Sequence, residues 1–354
     1  MPKIEVVDMG MEFKGGSKSL FSHKLQQALI CELKAGHKVL LFHNRRGFAN
    51  YMFCRSCGYK PECPSCSTSL TYHQSFDNGK RVQYLTCHHC GYKQNAYVNC
   101  PECGSPYIAK YGAGTQNVEE SLEAFLLENE IDARIVRMDA DTTKEKFGHQ
   151  KCLEEFARPG AAILLGTQMI SKGLDFDDVT LVGVILVDTN LALPDFRSSE
   201  QTFNLILQVA GRCGRANLPG KVIMQTYTPD AEAIECAADY DVQRFRTIEL
   251  QKRALLKYPP YTNMINIVLS AQSEDDCKQA AQDLSCAIES QISDDINITP
   301  ATSCVLERIR NKYRYHVVVK GNSDISKLVA SAIQDVKIKS SVSLTIDVDP
   351  ISLL

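Results

Sequence analysis

Short apolar runs rich in β-branched residues alternate with amphipathic stretches along much of the chain. Residues 22–35 set Leu25, Ala28, Leu29 and Leu33 on one side of a 3.6-residue period and stop at Gly36, which predicts a helix. The run Val39-Leu40-Leu41-Phe42 follows as a buried strand. Asn117 and Glu120 make a capping box for a helix over 117–127. Further on, the pattern predicts strands at 133–138, 162–165, 181–187 and 221–227 and helices at 143–156 and 200–209. Strands buried on both faces read as unbroken apolar runs, so the alternation predicts a mostly parallel sheet covered by helices on both sides.

A cysteine-rich stretch with edges near Tyr51 and Tyr107 interrupts this alternation and reads as an insertion. The domain expectation is therefore an α/β lobe of residues 1–50 and 107–230, an insertion over 51–106, a helical linker over 231–258 and a separate domain over 259–354. In that last part, strands at 264–270, 305–309, 313–320 and 342–348 and helices at 273–292 and 323–336 follow the order βαββαβ. This order predicts a small α+β, ferredoxin-like unit.

Eight of the 15 cysteines form four C-x-x-C pairs: Cys54/Cys57, Cys63/Cys66, Cys87/Cys90 and Cys100/Cys103. Two intervening residues let one tight turn present both sulfurs to a tetrahedral ion, and eight thiolates close two four-sulfur shells, as structural zinc requires. Glycine follows three of the pairs, at Gly58, Gly91 and Gly104, where such a turn favours positive φ. The remaining seven cysteines are scattered and odd in number, which speaks against a secreted disulfide framework. The spacing is not that of a ferredoxin cluster. Four pairs can be shared between two ions in three ways, and spacing does not choose among them. Between His43 and Tyr111 eight Lys/Arg face three acids, a net +5 that two Zn(Cys)4 units reduce to about +1. Steering of DNA toward the insertion is therefore expected to be weak. Aromatics such as Tyr59, Phe76 and Tyr92 either stack on bases or simply cover the knuckles. Asp77-Asn78-Gly79 predicts a hairpin turn within it.

The chain has 354 residues, 44% hydrophobic and 23% charged, with a formal net charge of -3, so it reads as globular and without bulk attraction to nucleic acid. There is no 18-residue apolar run and no apolar stretch in residues 1–10, which predicts a soluble, cytoplasmic monomer without membrane contact.

Three strings carry candidate motor chemistry. Leu40 to Gly47 is a strand running into a basic turn with Asn44, Arg45 and Arg46. Ile163 to Phe176 is a strand followed by Thr167, Lys172, Gly173 and Asp175, groups expected at the carboxyl edge of the sheet, where open α/β sheets bind ligands. Gln208-Val209-Ala210-Gly211-Arg212-Cys213-Gly214-Arg215 ends a helix with two arginines three apart, suited to a γ-phosphate and expected to face the same carboxyl edge.

With these strings, the eight cysteines, Cys87-His88-His89-Cys90-Gly91-Tyr92, Asp195-Phe196-Arg197 and Ile346-Asp347-Val348-Asp349-Pro350, the chain from Val7 onward resembles the C-terminal half of the PriA family, primosomal replication-restart helicases of superfamily two. The resemblance implies a RecA-like second helicase lobe with an inserted two-zinc module and the small C-terminal domain, working as part of an ATP-dependent 3′-to-5′ DNA helicase at stalled forks. It implies nested metal shells, Cys54, Cys57, Cys100 and Cys103 outside and Cys63, Cys66, Cys87 and Cys90 inside. It places Arg212 and Arg215 as catalytic groups at the γ-phosphate and Gly173, Asp175 and Gln208 at the nucleotide. Asn44, Arg45, Arg46, Thr167 and Lys172 would meet DNA. Its implied partners are forked or single-stranded DNA, single-strand-binding protein and primosome proteins. Gln201, Cys213 and Gln116 depart from residues usual in the family.

A P-loop needs G-x-x-x-x-G-K-[ST], yet Gly79-Lys80 and Gly220-Lys221 continue into Arg81 and Val222, and Leu186-Val187-Asp188 continues into Thr189 rather than an Asp-Glu pair. The expectation is that this polypeptide alone neither hydrolyses ATP nor unwinds DNA, ATP and Mg2+ being cofactors only with a first lobe. It is then either a piece of a longer product or a subunit completed by another chain. The rival expectation is a non-catalytic, zinc-dependent module that binds DNA forks or primosome proteins.

Overall fold

A computed structural model describes residues 2–17, 19–43, 51–64, 69–77, 80–88, 90–111, 115–138, 148–167, 178–213, 220–293, 295–322 and 324–353. The chain opens with strand β1 (Lys3–Asp8), helices α1 (Met9–Lys14) and α2 (His23–Lys34) and strand β2 (Lys38–His43). The insertion contributes β3 (Tyr51–Cys54), β4 (Thr71–Asp77), β5 (Lys80–Thr86), β6 (Lys93–Asn95) and β7 (Ile108–Tyr111). Then come α3 (Thr115–Glu128), β8 (Arg134–Met138), α4 (Gly148–Ala157), β9 (Ala162–Gly166), β10 (Val179–Ile185), α5 (Asp188–Leu191), α6 (Ser198–Ala210) and β11 (Lys221–Thr226). Helices α7 (Glu232–Ala238) and α8 (Val242–Leu255) lead to β12 (Asn263–Ala271), α9 (Glu274–Glu289), β13 (Asn297–Ile298), β14 (Thr302–Ile309), β15 (Lys312–Gly321), α10 (Ile325–Asp335) and β16 (Ser343–Val348).

Six strands form one sheet in the order β1-β11-β10-β2-β9-β8, every neighbouring pair parallel. Every residue of β2, β9 and β10 is buried, because alternate side chains feed two separate cores. Leu40, Phe42 and Leu164 pack with Phe203 and Ile206 of α6 on one face. Val39, Leu41, Ile163 and Leu165 pack with Leu25 and Leu29 of α2 and Leu122 of α3 on the other. Burying each such side chain is worth about 1.5–3 kcal/mol. Ser22 caps α2, its hydroxyl accepting from the Leu25 amide at 3.2 Å.

Several boundaries differ from expectation. Strand β1 has no strong apolar alternation because it is an edge strand, mostly half-buried. Helix α3 begins at Thr115, so Asn117 and Glu120 lie inside its first turns rather than at a cap. The insertion's sheet closes only with β7, which pairs with β3 from Tyr51↔Tyr111 to Cys54↔Ile108, because the strand that leaves must lie beside the strand that enters. Residues 231–258 are no free linker: Ala233, Ile234, Cys236, Ala237 and Phe245 are buried in the lobe's own core.

The insertion is a five-stranded antiparallel sheet, order β6-β5-β4-β3-β7, with a small core of Met52, Cys63, Leu70, Tyr72, Leu85 and Cys87. Its hairpin pairs Asp77 with Lys80, and the expected turn residues Asn78 and Gly79 lie outside the described residues. The C-terminal sheet is antiparallel in the order β16-β12-β15-β14, with β13 also on β15, and α9 and α10 cover one face.

Candidate functional site

Three knuckles share one local design. In each, the amide of the residue four after the first cysteine donates to that cysteine's carbonyl: Gly58 to Cys54, Gly91 to Cys87 and Gly104 to Cys100, all at 2.9 Å. The first cysteine's amide donates in turn to Tyr59, Tyr92 and Ser105. The three glycines sit at φ of 76°, 74° and 70°. This turn brings paired sulfurs together, and the nested strand pairing brings the pairs together in space.

Cys54, Cys57, Cys100 and Cys103 present sulfurs within 4.8 Å of one another, as do Cys63, Cys87 and Cys90. Cys66 lies outside the described residues. The separations Cys54–Cys103 and Cys57–Cys100 are 3.6 Å, and Cys63–Cys90 is 3.5 Å. A tetrahedron with metal–sulfur bonds of about 2.3 Å has sulfur–sulfur edges of about 3.8 Å, whereas a disulfide needs about 2.05 Å. The donor set therefore fits two thiophilic ions such as zinc and does not fit bridges. Among the described residues the sulfurs gather as the nested sharing requires, Cys54 and Cys57 with Cys100 and Cys103, and Cys63 with Cys87 and Cys90. Burial pushes the Cys57 thiol up to about 12. The Ser105 backbone hydrogen bond draws Cys103 down to about 7, making it the readiest thiolate donor of the outer group.

The outer knuckle docks on the carboxyl end of β11. Asp188, 2% exposed, accepts from the hydroxyls of Thr226 and Thr228 at 2.9 and 2.6 Å and from the Tyr227 amide at 3.0 Å. Lys60 Nζ, just beyond the knuckle, lies 3.6 Å from the same carboxylate. A Cβ on Gly58 would stand 2.1 Å from the Tyr227 carbonyl oxygen, so no side chain fits there. Arg55 lies over the Phe13 ring, 5.0 Å from its centroid.

The candidate motor residues occupy two opposite edges of the parallel sheet. Thr167, buried, follows β9 at the carboxyl edge. Arg212 is half-buried beyond α6, one turn from the exposed Gln208. The neighbouring Cys213 thiol lies 3.7 Å from the Val179 carbonyl and 3.4 Å from that of Lys221, the first residues of β10 and β11. Arg212 thus belongs to the amino edge, not the carboxyl edge that its motif was expected to share with Thr167. The cause is connectivity: a crossover helix between parallel strands runs back against them, so its last turn returns to where the strands start. Burial pushes the Cys213 thiol up to about 11. Asn44, Arg45, Arg46, Lys172, Gly173, Asp175 and Arg215 lie outside the described residues.

The junction at the head of α6 carries no signal in hydrophobic periodicity or ligand spacing. Asp195 Oδ2 accepts from the Ser352 hydroxyl at 2.5 Å and the Leu353 amide at 2.9 Å, which ties the end of the C-terminal domain to the lobe. Phe196 stacks on Tyr258, and Glu200 bridges Arg197 at 3.0 Å and Arg253 at 2.6 Å. The only sequence signal was the Asp195-Phe196-Arg197 string itself. Burial raises the Glu200 carboxyl, but its bonds to Arg197 and Arg253 outweigh this and hold it below the usual range. A depressed carboxyl contributes stability above its unfolded pKa and loses it as pH falls through the folded value. Glu200→Gln is therefore expected to flatten the loss of urea stability as pH falls below about 5, and an unchanged pH slope would refute the brace.

Residues 111–217 match the helicase conserved C-terminal domain, and residues 254–351 match the primosomal protein N C-terminal domain. The chain is 39% identical over 359 residues to replication restart protein PriA of Bacillus subtilis (strain 168), an alignment covering 100% of this chain and 43% of that protein. It is 40% identical to the Synechocystis PriA, covering 100% of this chain and 42% of that one, and 34% identical to the Treponema pallidum PriA, covering 100% and 52%. The chain thus spans about half the length of these relatives. With the helicase domain, the knuckled insertion and the terminal domain in one order, the chain belongs to the PriA family of replication restart proteins and corresponds to a C-terminal part of them.

Proposed function

We propose that the chain is the second, RecA-like motor lobe of an ATP-dependent 3′-to-5′ DNA helicase that reloads the replication machinery at stalled forks, carrying a two-zinc module and a ferredoxin-like domain. The observation that carries this reading is the two-edged sheet: Thr167 at one edge and Arg212 at the other give one rigid lobe separate surfaces for a DNA strand and a triphosphate. A motor needs that separation, because nucleotide and strand must be bound simultaneously. A pure fork-binding module has no use for an arginine at the amino edge.

In this reading Arg212, with Arg215 beside it in sequence, neutralises charge on the transferred γ-phosphoryl, and Gln208, Gly173 and Asp175 line the nucleotide side. Asn44, Arg45, Arg46, Thr167 and Lys172 contact the DNA backbone. The lysine and acidic pair that hold the phosphates and Mg2+ come from a first lobe. The strand order β16-β12-β15-β14 with two helices on one face supports the ferredoxin-like assignment of the terminal domain. Single-strand-binding protein and primosome proteins are the proposed partners, and the cytoplasm the proposed compartment.

The zinc-loaded chain alone is expected to release no phosphate from ATP on forked DNA, and addition of a P-loop lobe to restore release. Arg212→Ala should then lower kcat about 10^3-fold while DNA affinity stays within a factor of two or so. Turnover by the chain alone, or an Arg212→Ala variant with full turnover, would overturn the reading.

A further inference from the structure

Each cysteine group has its own neighbour. The outer knuckle, Cys54 to Cys57, runs straight into Gly58, whose backbone presses on Tyr227, and Lys60, which reaches the buried Asp188 of the motor lobe. The inner knuckle, Cys87 to Cys90, holds His88, which faces the other way. His88 is 1% exposed, and its Nδ1 lies 2.8 Å from the Ser303 carbonyl at the start of β14. A carbonyl only accepts, so Nδ1 carries the proton and donates. His88 Nε2 is then the acceptor for His73 Nε2 at 3.0 Å. The His88 carbonyl in turn accepts from Nε2 of the buried His316 on β15 at 2.9 Å. His73 Nδ1 stands 3.6 Å from Glu307, a third residue of the terminal domain.

Both sides of His88 are thus committed to the C-terminal domain, through its ring and through its backbone. Its backbone conformation is set by the knuckle that presents Cys87 and Cys90. The corresponding position of the outer knuckle is Arg55, which lies over Phe13 of the motor lobe. The two knuckles have the same turn and opposite targets.

We propose that the two metal groups are separate fasteners: the outer one, with Gly58 and Lys60, holds the inserted module to the motor lobe, and the inner one, with His88, holds it to the C-terminal domain. Emptying one group releases one junction and leaves the other closed. This rests on the metal reading of the cysteine groups and is independent of the helicase reading.

The test uses the full chain loaded with Zn2+ and two side-chain labels read by mass spectrometry. Amine acylation reports Lys60 and imidazole acylation reports His316, both shielded in the closed junctions. Cys57→Ser with Cys103→Ser should speed Lys60 labelling roughly tenfold and leave His316 unchanged. Cys63→Ser with Cys90→Ser should do the reverse, the loss of two buried hydrogen bonds corresponding to roughly tenfold or more. Because either pair of substitutions can unfold the module outright, His88 supplies a variant that keeps all the cysteines. His88→Ala should retain both metals yet expose His316, and His88→Asn, whose amide can still donate to Ser303, should restore much of the protection. Wild-type chain that takes up no Zn2+ would sink the metal reading itself. Two bound metals with His316 labelled at the wild-type rate in His88→Ala, or both residues exposed together by either cysteine pair, would overturn the separate-fastener proposal.

Discussion

Stripping metal from the chain with a chelator is expected to unfold residues 51–111 while the six-stranded parallel sheet survives. Among the described residues the module's own buried cluster is six side chains, and two of them, Cys63 and Cys87, belong to the inner cysteine group. A core of that size cannot offset the ordering of some sixty residues at about 1–2 kcal/mol each. Structural zinc contributes about 10–16 kcal/mol in small domains, by far the largest single term available to this segment. The parallel sheet draws on two cores of its own, neither built on the cysteine groups. Amide exchange should therefore rise throughout β3 to β7 on chelation and stay slow in β2, β9 and β10. Slow exchange in β4 and β5 after metal analysis reads zero would show that the module stands without its ions. Thiolates are the ligands, so acid should release metal.

Asp188→Ala is the second large effect. The carboxylate, 2% exposed, takes two hydroxyl donors and a backbone amide and lies opposite the Lys60 ammonium, whose side chain is 11% exposed. Truncation removes the acceptor of three donors and leaves the ammonium with only the Thr228 hydroxyl at 3.4 Å, and breaking one side of a buried pair costs about 3–5 kcal/mol. Lys60→Met in the same background should recover part of the loss, because it removes the stranded charge; a double-mutant cycle measures the coupling. A midpoint shift in urea corresponding to less than about 1 kcal/mol would mean that the pair is solvated and contributes little.

Much of this protein is legible in its sequence. The strands β2, β9 and β10 were visible as apolar runs because a parallel sheet buries both of its faces, and the knuckles were visible because C-x-x-C-G is a local turn whose geometry needs no distant residue. Strand β1 was missed because an edge strand is only half-buried and carries no strict pattern. The polar sequence of α7 and α8 reads as a linker; only packing shows that Ile234, Cys236 and Phe245 join the core of the parallel sheet. His88 and Asp195 look like ordinary polar residues in the chain, yet each is buried by a partner more than 150 positions away.

The order of secondary elements, the metal-binding chemistry of the cysteines and the absence of a P-loop string among these residues follow from local composition and spacing, which act over a few neighbouring residues. Which cysteine pairs share an ion, which edge of the sheet receives Arg212 and which neighbour each knuckle grips were decided only by the tertiary structure. Those outcomes depend on the direction in which helices return between parallel strands and on contacts between segments far apart in the chain, and no local periodicity encodes either.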